Sequence, residues 1–138
     1  MEEKDRGFVI EMMRDFYASD AVYSNGSDEI FNRDIGQCLG DGDDLEGYVF
    51  EEGGKIRGYG MLAKSFSTEF GKTCIWIEDL YIKEEYRGKG IGTAFMSFVK
   101  NKHPDAIFRL EVEAENAKAI RVYQRNGFAF LPYLEMKK

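Results

Sequence analysis

Arg87-Gly88-Lys89-Gly90-Ile91-Gly92 sets three alternate glycines beside two cations, between an apolar run ending at Ile82 and a helical run opening at Ile91. Alternate glycines let backbone amides approach an anion with no side chain in the way. The helix that follows adds unpaired N–H groups and the positive end of its dipole, and Arg87 and Lys89 bring charge to the same place. The turn therefore reads as a pyrophosphate site at a strand-to-helix junction. Spacing sorts the rival readings. A Walker loop needs Gly-Lys-Ser/Thr after four intervening residues, which is absent. A dinucleotide turn gains from Glu111 and Glu113, about 20 residues on, where a ribose-binding acid belongs. Against it, the spacing is not Gly-x-Gly-x-x-Gly, and five residues, Lys83 to Arg87, separate the strand end from the first glycine. A glycine-rich cap that serves packing alone is the plain alternative.

Upstream of the turn, Thr73–Ile82 is the longest and most apolar strand pattern. Before it, Leu45–Glu51 and Ile56–Ala63 are joined by Glu52-Gly53-Gly54-Lys55, where paired glycines supply the positive φ of a tight hairpin. Lys64–Lys72 reads as a looser stretch. At the start, Phe8, Met12 and Phe16, with Ile10, Met13 and Tyr17, give Lys4–Ala18 helical spacing. Ser27 then caps a second helix carrying Ile30, Phe31, Ile35 and Leu39, which Gly40-Asp41-Gly42-Asp43-Asp44 breaks. Downstream, Ile91–Lys100 buries Ile91, Phe95, Phe98 and Val99 and stops at Pro104; Ala106–Glu113 is a strand, Asn116–Asn126 a helix and Gly127–Glu135 a last strand. The order predicts a mixed α/β (α+β) sheet with helices on its faces, in one domain over residues 1–138.

Composition narrows the function classes. The chain has 138 residues, of which 43% are hydrophobic and 14% aromatic, enough to bury a core. No apolar run reaches the ~18 residues of a bilayer span, and Met1–Phe8 lacks the basic-then-apolar pattern of a signal peptide. A cytoplasmic protein without membrane partners is expected. A net charge of −6 opposes nucleic acid as a main partner and mildly favours a cationic substrate. Cys38, Cys74 and the single histidine, His103, form no metal or thiol–histidine spacing, and the acidic loop lacks the ligand order of a calcium loop. No metal is expected.

Trp76 through Gly92 resembles the acetyl-CoA motif of the Gcn5-related N-acetyltransferase (GNAT) superfamily, whose Arg-x-x-Gly-x-Gly core is met by Arg87, Gly90 and Gly92. Downstream, Glu113-Ala114-Glu115-Asn116, then Ala119, Tyr123 and Asn126-Gly127-Phe128, is similar to that superfamily's second cofactor-contacting segment. Phe66-Ser67-Thr68, Gly71-Lys72 and Ile77-Glu78-Asp79-Leu80-Tyr81 resemble the spermidine/spermine and thialysine acetyltransferase branch. The resemblance implies a central, mostly antiparallel sheet with splayed middle strands and helices on both faces. Members usually carry a strand before the first helix, and here that strand is expected to be missing or very short.

The implied function is transfer of an acetyl group from acetyl-CoA to a primary amine of a small cationic acceptor, such as a polyamine or a lysine-like amino acid, by direct attack in a ternary complex. A peptide or protein amine acceptor, a CoA-binding regulatory module without catalysis, and a homodimeric assembly stay open. A lysine-like amine has a pKa near 10.4, so a base must remove its proton. Glu78 and Asp79 are adjacent carboxylates in an apolar strand, where desolvation raises a carboxyl pKa. In a regular strand they face opposite sides, so only one lines a given pocket. The resemblance assigns Glu78 as base, through a water, and Asp79 to substrate orientation or to the fold. It assigns Leu80, Tyr81 and Ile82 to the pantetheine arm, and Arg87 to Gly92 with Thr93 and Asn116 to the rest of the cofactor. Tyr123 follows Asn116 by two helical turns, on nearly the same face, and takes the role of acid toward the leaving thiolate.

Overall fold

The computed structural model describes all residues from 1 to 138. After a short 3₁₀ turn, the chain forms helices α1 (Arg6–Tyr17) and α2 (Asp28–Leu39), then strands β1 (Leu45–Glu52), β2 (Lys55–Ser67) and β3 (Lys72–Ile82). Helix α3 (Ile91–Lys102), strand β4 (Ile107–Leu110) and helix α4 (Ala117–Arg125) complete it. No strand precedes α1. The four strands lie in the order β1-β2-β3-β4, the first two pairings antiparallel and β3–β4 parallel. No helix is long and apolar enough to cross a membrane.

Local chemistry sets the element ends. The Ser27 hydroxyl accepts the Ile30 N–H and caps α2. Gly53 and Gly54 turn the β1–β2 hairpin with φ of 60° and 75°. The stretch read as loose is mostly strand: β2 runs on to Ser67, and only residues 68–71 turn before β3.

The sheet separates two cores. On one face Val9, Met12 and Met13 of α1 and Phe31 and Ile35 of α2 pack on Tyr59, Met61 and Tyr81. On the other, Phe95, Met96 and Val99 of α3 pack on Leu62, Ile75 and Ile77, with Val122 and Tyr123 of α4 against them. Burial of these apolar faces drives both docking events.

Two further features depart from the sequence expectations, and both concern the open side of β3. The strand expected over Ala106–Glu113 is only Ile107–Leu110, because its pairing with β3 stops at Ile77↔Leu110. Beyond that point Glu78–Ile82 have no partner on the β4 side, so the sheet splays between β3 and its edge strand β4 and not between middle strands as expected. The strand expected over Gly127–Glu135 does not form. Pro132 removes a ladder donor from the middle of that segment, and the four-residue β4 offers little to pair with. The segment lies across the surface, tied by Tyr133 Oη to Glu69 at 3.0 Å.

Candidate active site

At the splay a cavity of about 100 Å³ is lined by Phe16 and Ala21, by Ile77, Glu78 and Leu80 of β3, by Glu111 and Val112 after β4, and by Asn116, Ala119 and Tyr123. Its walls thus come from α1 and the turn after it, the open edge of β3 and the start of α4. A larger groove of about 350 Å³ between β1 and α3 is lined mainly by apolar and aromatic side chains such as Tyr48, Phe50, Phe95 and Phe98. Its one arginine, Arg57, is tied to Glu52. Neither Glu78 nor Tyr123 lines it; both line the smaller cavity.

Glu78 reaches this cavity through a break in strand register. Leu62 pairs with Ile77 and Met61 with Asp79, which leaves Glu78 as the extra residue of a β-bulge. The regular alternation expected from sequence is therefore interrupted at the two carboxylates. By surface area Glu78 is exposed. Its carboxyl is still partly surrounded by protein, and this burial, followed by the charges of Glu135 and Asp34, raises its pKa. Asp79 sits differently. It is 4% exposed, and its oxygens accept hydrogen bonds from Tyr17 Oη at 3.0 Å and Tyr59 Oη at 2.7 Å. Burial pushes its pKa up to about 6, against the lowering effect of the two hydroxyls.

Tyr123 is half-buried, and burial raises its phenol above the usual value, so it is protonated at neutral pH. Asn116 caps α4, its side-chain oxygen accepting the Ala119 N–H at 3.2 Å, which leaves its amide N–H groups available. Tyr81 turns its ring into the α1 core, so only its backbone can meet a ligand in the gap. Leu80 lines the cavity and Ile82 closes the strand.

The glycine turn takes the form expected of an anion site. Gly88 and Gly90 have φ of 73° and 81°, with open space where a Cβ would lie. Gly90 is the N-cap of α3 and has no side-chain cap, so the first N–H groups of the helix are unclaimed. Arg87 Nε donates to the Ile82 carbonyl at 2.8 Å, which ties the turn to the end of β3. Lys89 lies over the Tyr86 ring, and Thr93 Oγ1 accepts from Asn126 Nδ2 at 3.3 Å. An unobstructed, donor-rich turn beside an open strand edge fits a long ligand with a pyrophosphate.

Three acidic residues at or near the site had no role there in the sequence reading, which weighed Glu111 only as a ribose-binding acid. Glu111 lines the cavity, and the Glu135 carboxyl bonded to it raises its pKa to about 7; Asp34 of α2 adds its charge to Glu78 and Asp79. The acids of the loop after α2, Asp41, Asp43 and Asp44, do not line it.

Comparison with known proteins agrees with this arrangement. The model of the acetyltransferase (GNAT) family matches residues 10–128, and the chain belongs to that family. It is 38% identical over 79 residues to a protein of Sus scrofa named thialysine N-epsilon-acetyltransferase, a match taking in 55% of this chain and 46% of that protein. The chain thus spans about half the length of the curated relatives it matches. Among solved structures, a possible acetyltransferase from Clostridium difficile 630 superposes with a TM-score of 0.81 at 20% identity, over 98% of this chain and 91% of that one. AAC(6')-Iy, solved with the bisubstrate analogue CoA-S-monomethyl-acetylneamine, gives a TM-score of 0.80 at 13% identity, over 100% and 93% of the two chains. These likenesses establish the fold.

Proposed function

We propose that this chain transfers an acetyl group from acetyl-CoA to a primary amine of a small cationic acceptor, a polyamine or a lysine-like amino acid, by direct attack in a ternary complex. The observation that carries this reading is that Glu78 and Tyr123, far apart in sequence, line one cavity at the open edge of β3. Membership of the acetyltransferase family and likeness to a thialysine acetyltransferase support the reaction class.

When bound, acetyl-CoA supplies the acetyl group as an activated thioester. Arg87 to Thr93 hold its pyrophosphate on the α3 N-terminus, and the backbone of Leu80, Tyr81 and Ile82 lines the arm, with the Asn116 amide beside it. Glu78 takes the ammonium proton of the acceptor through a water, and its raised pKa brings it nearer to neutral pH, where a base is most effective. A free backbone N–H at Leu80 or Tyr81 stabilises the negative charge that develops on the carbonyl oxygen as the C–N bond forms. Tyr123 donates its proton to the sulfur as the C–S bond breaks, and the second proton of the attacking nitrogen, released as the amide forms, passes through water to restore the phenol. Glu111, Glu135 and Asp34 add negative potential on the acceptor side, which suits a cationic amine.

The test is an acetyl-CoA assay over polyamines, amino acids, aminoglycosides and peptides, read by product mass. On a substrate so found, Glu78→Gln and Tyr123→Phe should each lower kcat by ~10²–10⁴. Retained turnover in both variants would sink the mechanism.

A further inference from the structure

The β3 bulge decides which carboxylate faces the cavity. If pairing continued one for one after Ile77↔Leu62, Glu78 would lie opposite Met61 and Asp79 opposite Gly60. Cross-strand partners share a face of the sheet. Glu78 would then point into the core that α1 and α2 build around Met61. Asp79 would point at the Phe95 ring, which lies 2.7 Å from where a Gly60 Cβ would stand. The extra residue avoids both burials: Asp79 joins Met61 and Tyr81 on the α1 face, and Leu80 joins the α3 face.

Leu80 and Tyr81 do little to choose between the registers, since each would exchange one apolar face for the other. Asp79 is the residue with a strict polar requirement. Both its oxygens are met, by Tyr17 from 62 residues away on α1 and by Tyr59 from 20 residues away on β2. Tyr59 is fully buried, so its hydroxyl has no water to fall back on. Three elements are thereby joined at one carboxylate, next to the unpaired residue. We infer that Asp79 is the positioning residue for Glu78: through Tyr17 and Tyr59 it fixes β3 in the bulged register that turns Glu78 into the cavity shared with Tyr123. This rests on the reading of Glu78 as base.

The test is the double variant Tyr17→Phe/Tyr59→Phe, which keeps both rings and removes both hydroxyls. Carboxyl carbon NMR follows the Glu78 titration directly, and strand register is read from the Met61–Asp79 cross-strand contact. The Glu78 titration should fall toward the ordinary carboxylate range as the side chain leaves the cavity. In kinetics, kcat should drop roughly tenfold or more, with acetyl-CoA KM changed less than about twofold, because a displaced base misaligns the chemistry and not cofactor binding. An unchanged Glu78 titration and unchanged register in the folded double variant overturn the inference. If the double variant does not fold, the two single variants read the same signals, and no change in either overturns it equally. Glu78→Gln run alongside separates the two claims. Full turnover in that variant defeats the base assignment, while the titration of Glu78 in the tyrosine variants still decides the positioning.

Discussion

Asp79 offers a sharp test of the electrostatics, because it is 4% exposed and its environment is defined on every side. Its pKa is pushed from the ordinary 3.8 up to about 6, first by burial. A carboxyl raised in the folded state takes up a proton on folding, so its stabilising effect is complete below pH 3.8 and is lost as pH climbs through about 6. A rise from 3.8 to about 6 corresponds to about 3 kcal/mol. Asp79→Asn removes this titration. The amide can still satisfy both hydroxyls, its oxygen accepting from one tyrosine and its NH₂ donating to the other. Urea unfolding of both proteins between pH 4 and 7 isolates the effect, because Glu78, Glu111 and the other carboxyls contribute to both curves and cancel in the difference. The variant should gain on the wild type by about 2.5 kcal/mol across that range, most of the full effect. A difference that stays constant within ~0.5 kcal/mol, the ordinary reproducibility for independent sites, refutes the assignment of a buried, charge-penalised carboxylate.

Other expectations concern the same machinery. Gly90→Ala forces an alanine to φ of 81°, where the Cβ costs about 1–2 kcal/mol, so thermal unfolding should shift downward and calorimetry should show weaker acetyl-CoA binding. Glu135→Gln should return the Glu111 titration, raised to about 7, toward its ordinary 4.5; an unchanged NMR titration would show that the two carboxyls do not meet. Ser27→Ala removes the α2 cap and should destabilise by ~1 kcal/mol in urea without altering kcat.

What the sequence disclosed were features that depend on neighbouring residues alone. The α3 turn, the Gly53–Gly54 hairpin and the Ser27 cap each answer a local backbone demand, and each lies where the residues put it. Glu78 and Tyr123 were legible through the motifs that flank them. Phe16, Asp34, Glu111 and Glu135 were not, because their place depends on where α1, α2 and the C-terminal segment cross the splay. The tail was misread for a physical reason. Phe128, Phe130, Leu134 and Met136 keep the two-residue period of a strand, yet a strand exists only where a partner edge accepts its hydrogen bonds. Leu134 and Met136 remain 95% and 94% exposed instead.

The bulge is the deepest case, since the residues around it conceal the change of face. Ile75, Ile77, Leu80 and Ile82 are apolar, and so are Trp76 and Tyr81, so β3 looks alike whichever side each residue takes. Only the adjacent pair Glu78-Asp79 carries information. In an unbroken strand one of two neighbouring acids would enter each core, and a buried carboxylate needs partners. The α1 core provides Tyr17 and Tyr59, whereas the tyrosine that packs on Phe95 in the α3 core, Tyr48, already has its hydroxyl paired with Glu46 and Lys102. One acid must therefore go to the tyrosines and the other must leave the sheet, which a single extra residue accomplishes. Two acids side by side in an otherwise apolar central strand are thus a sequence signal for a bulge, and the tyrosines that receive one of them show which acid is left to face the cavity.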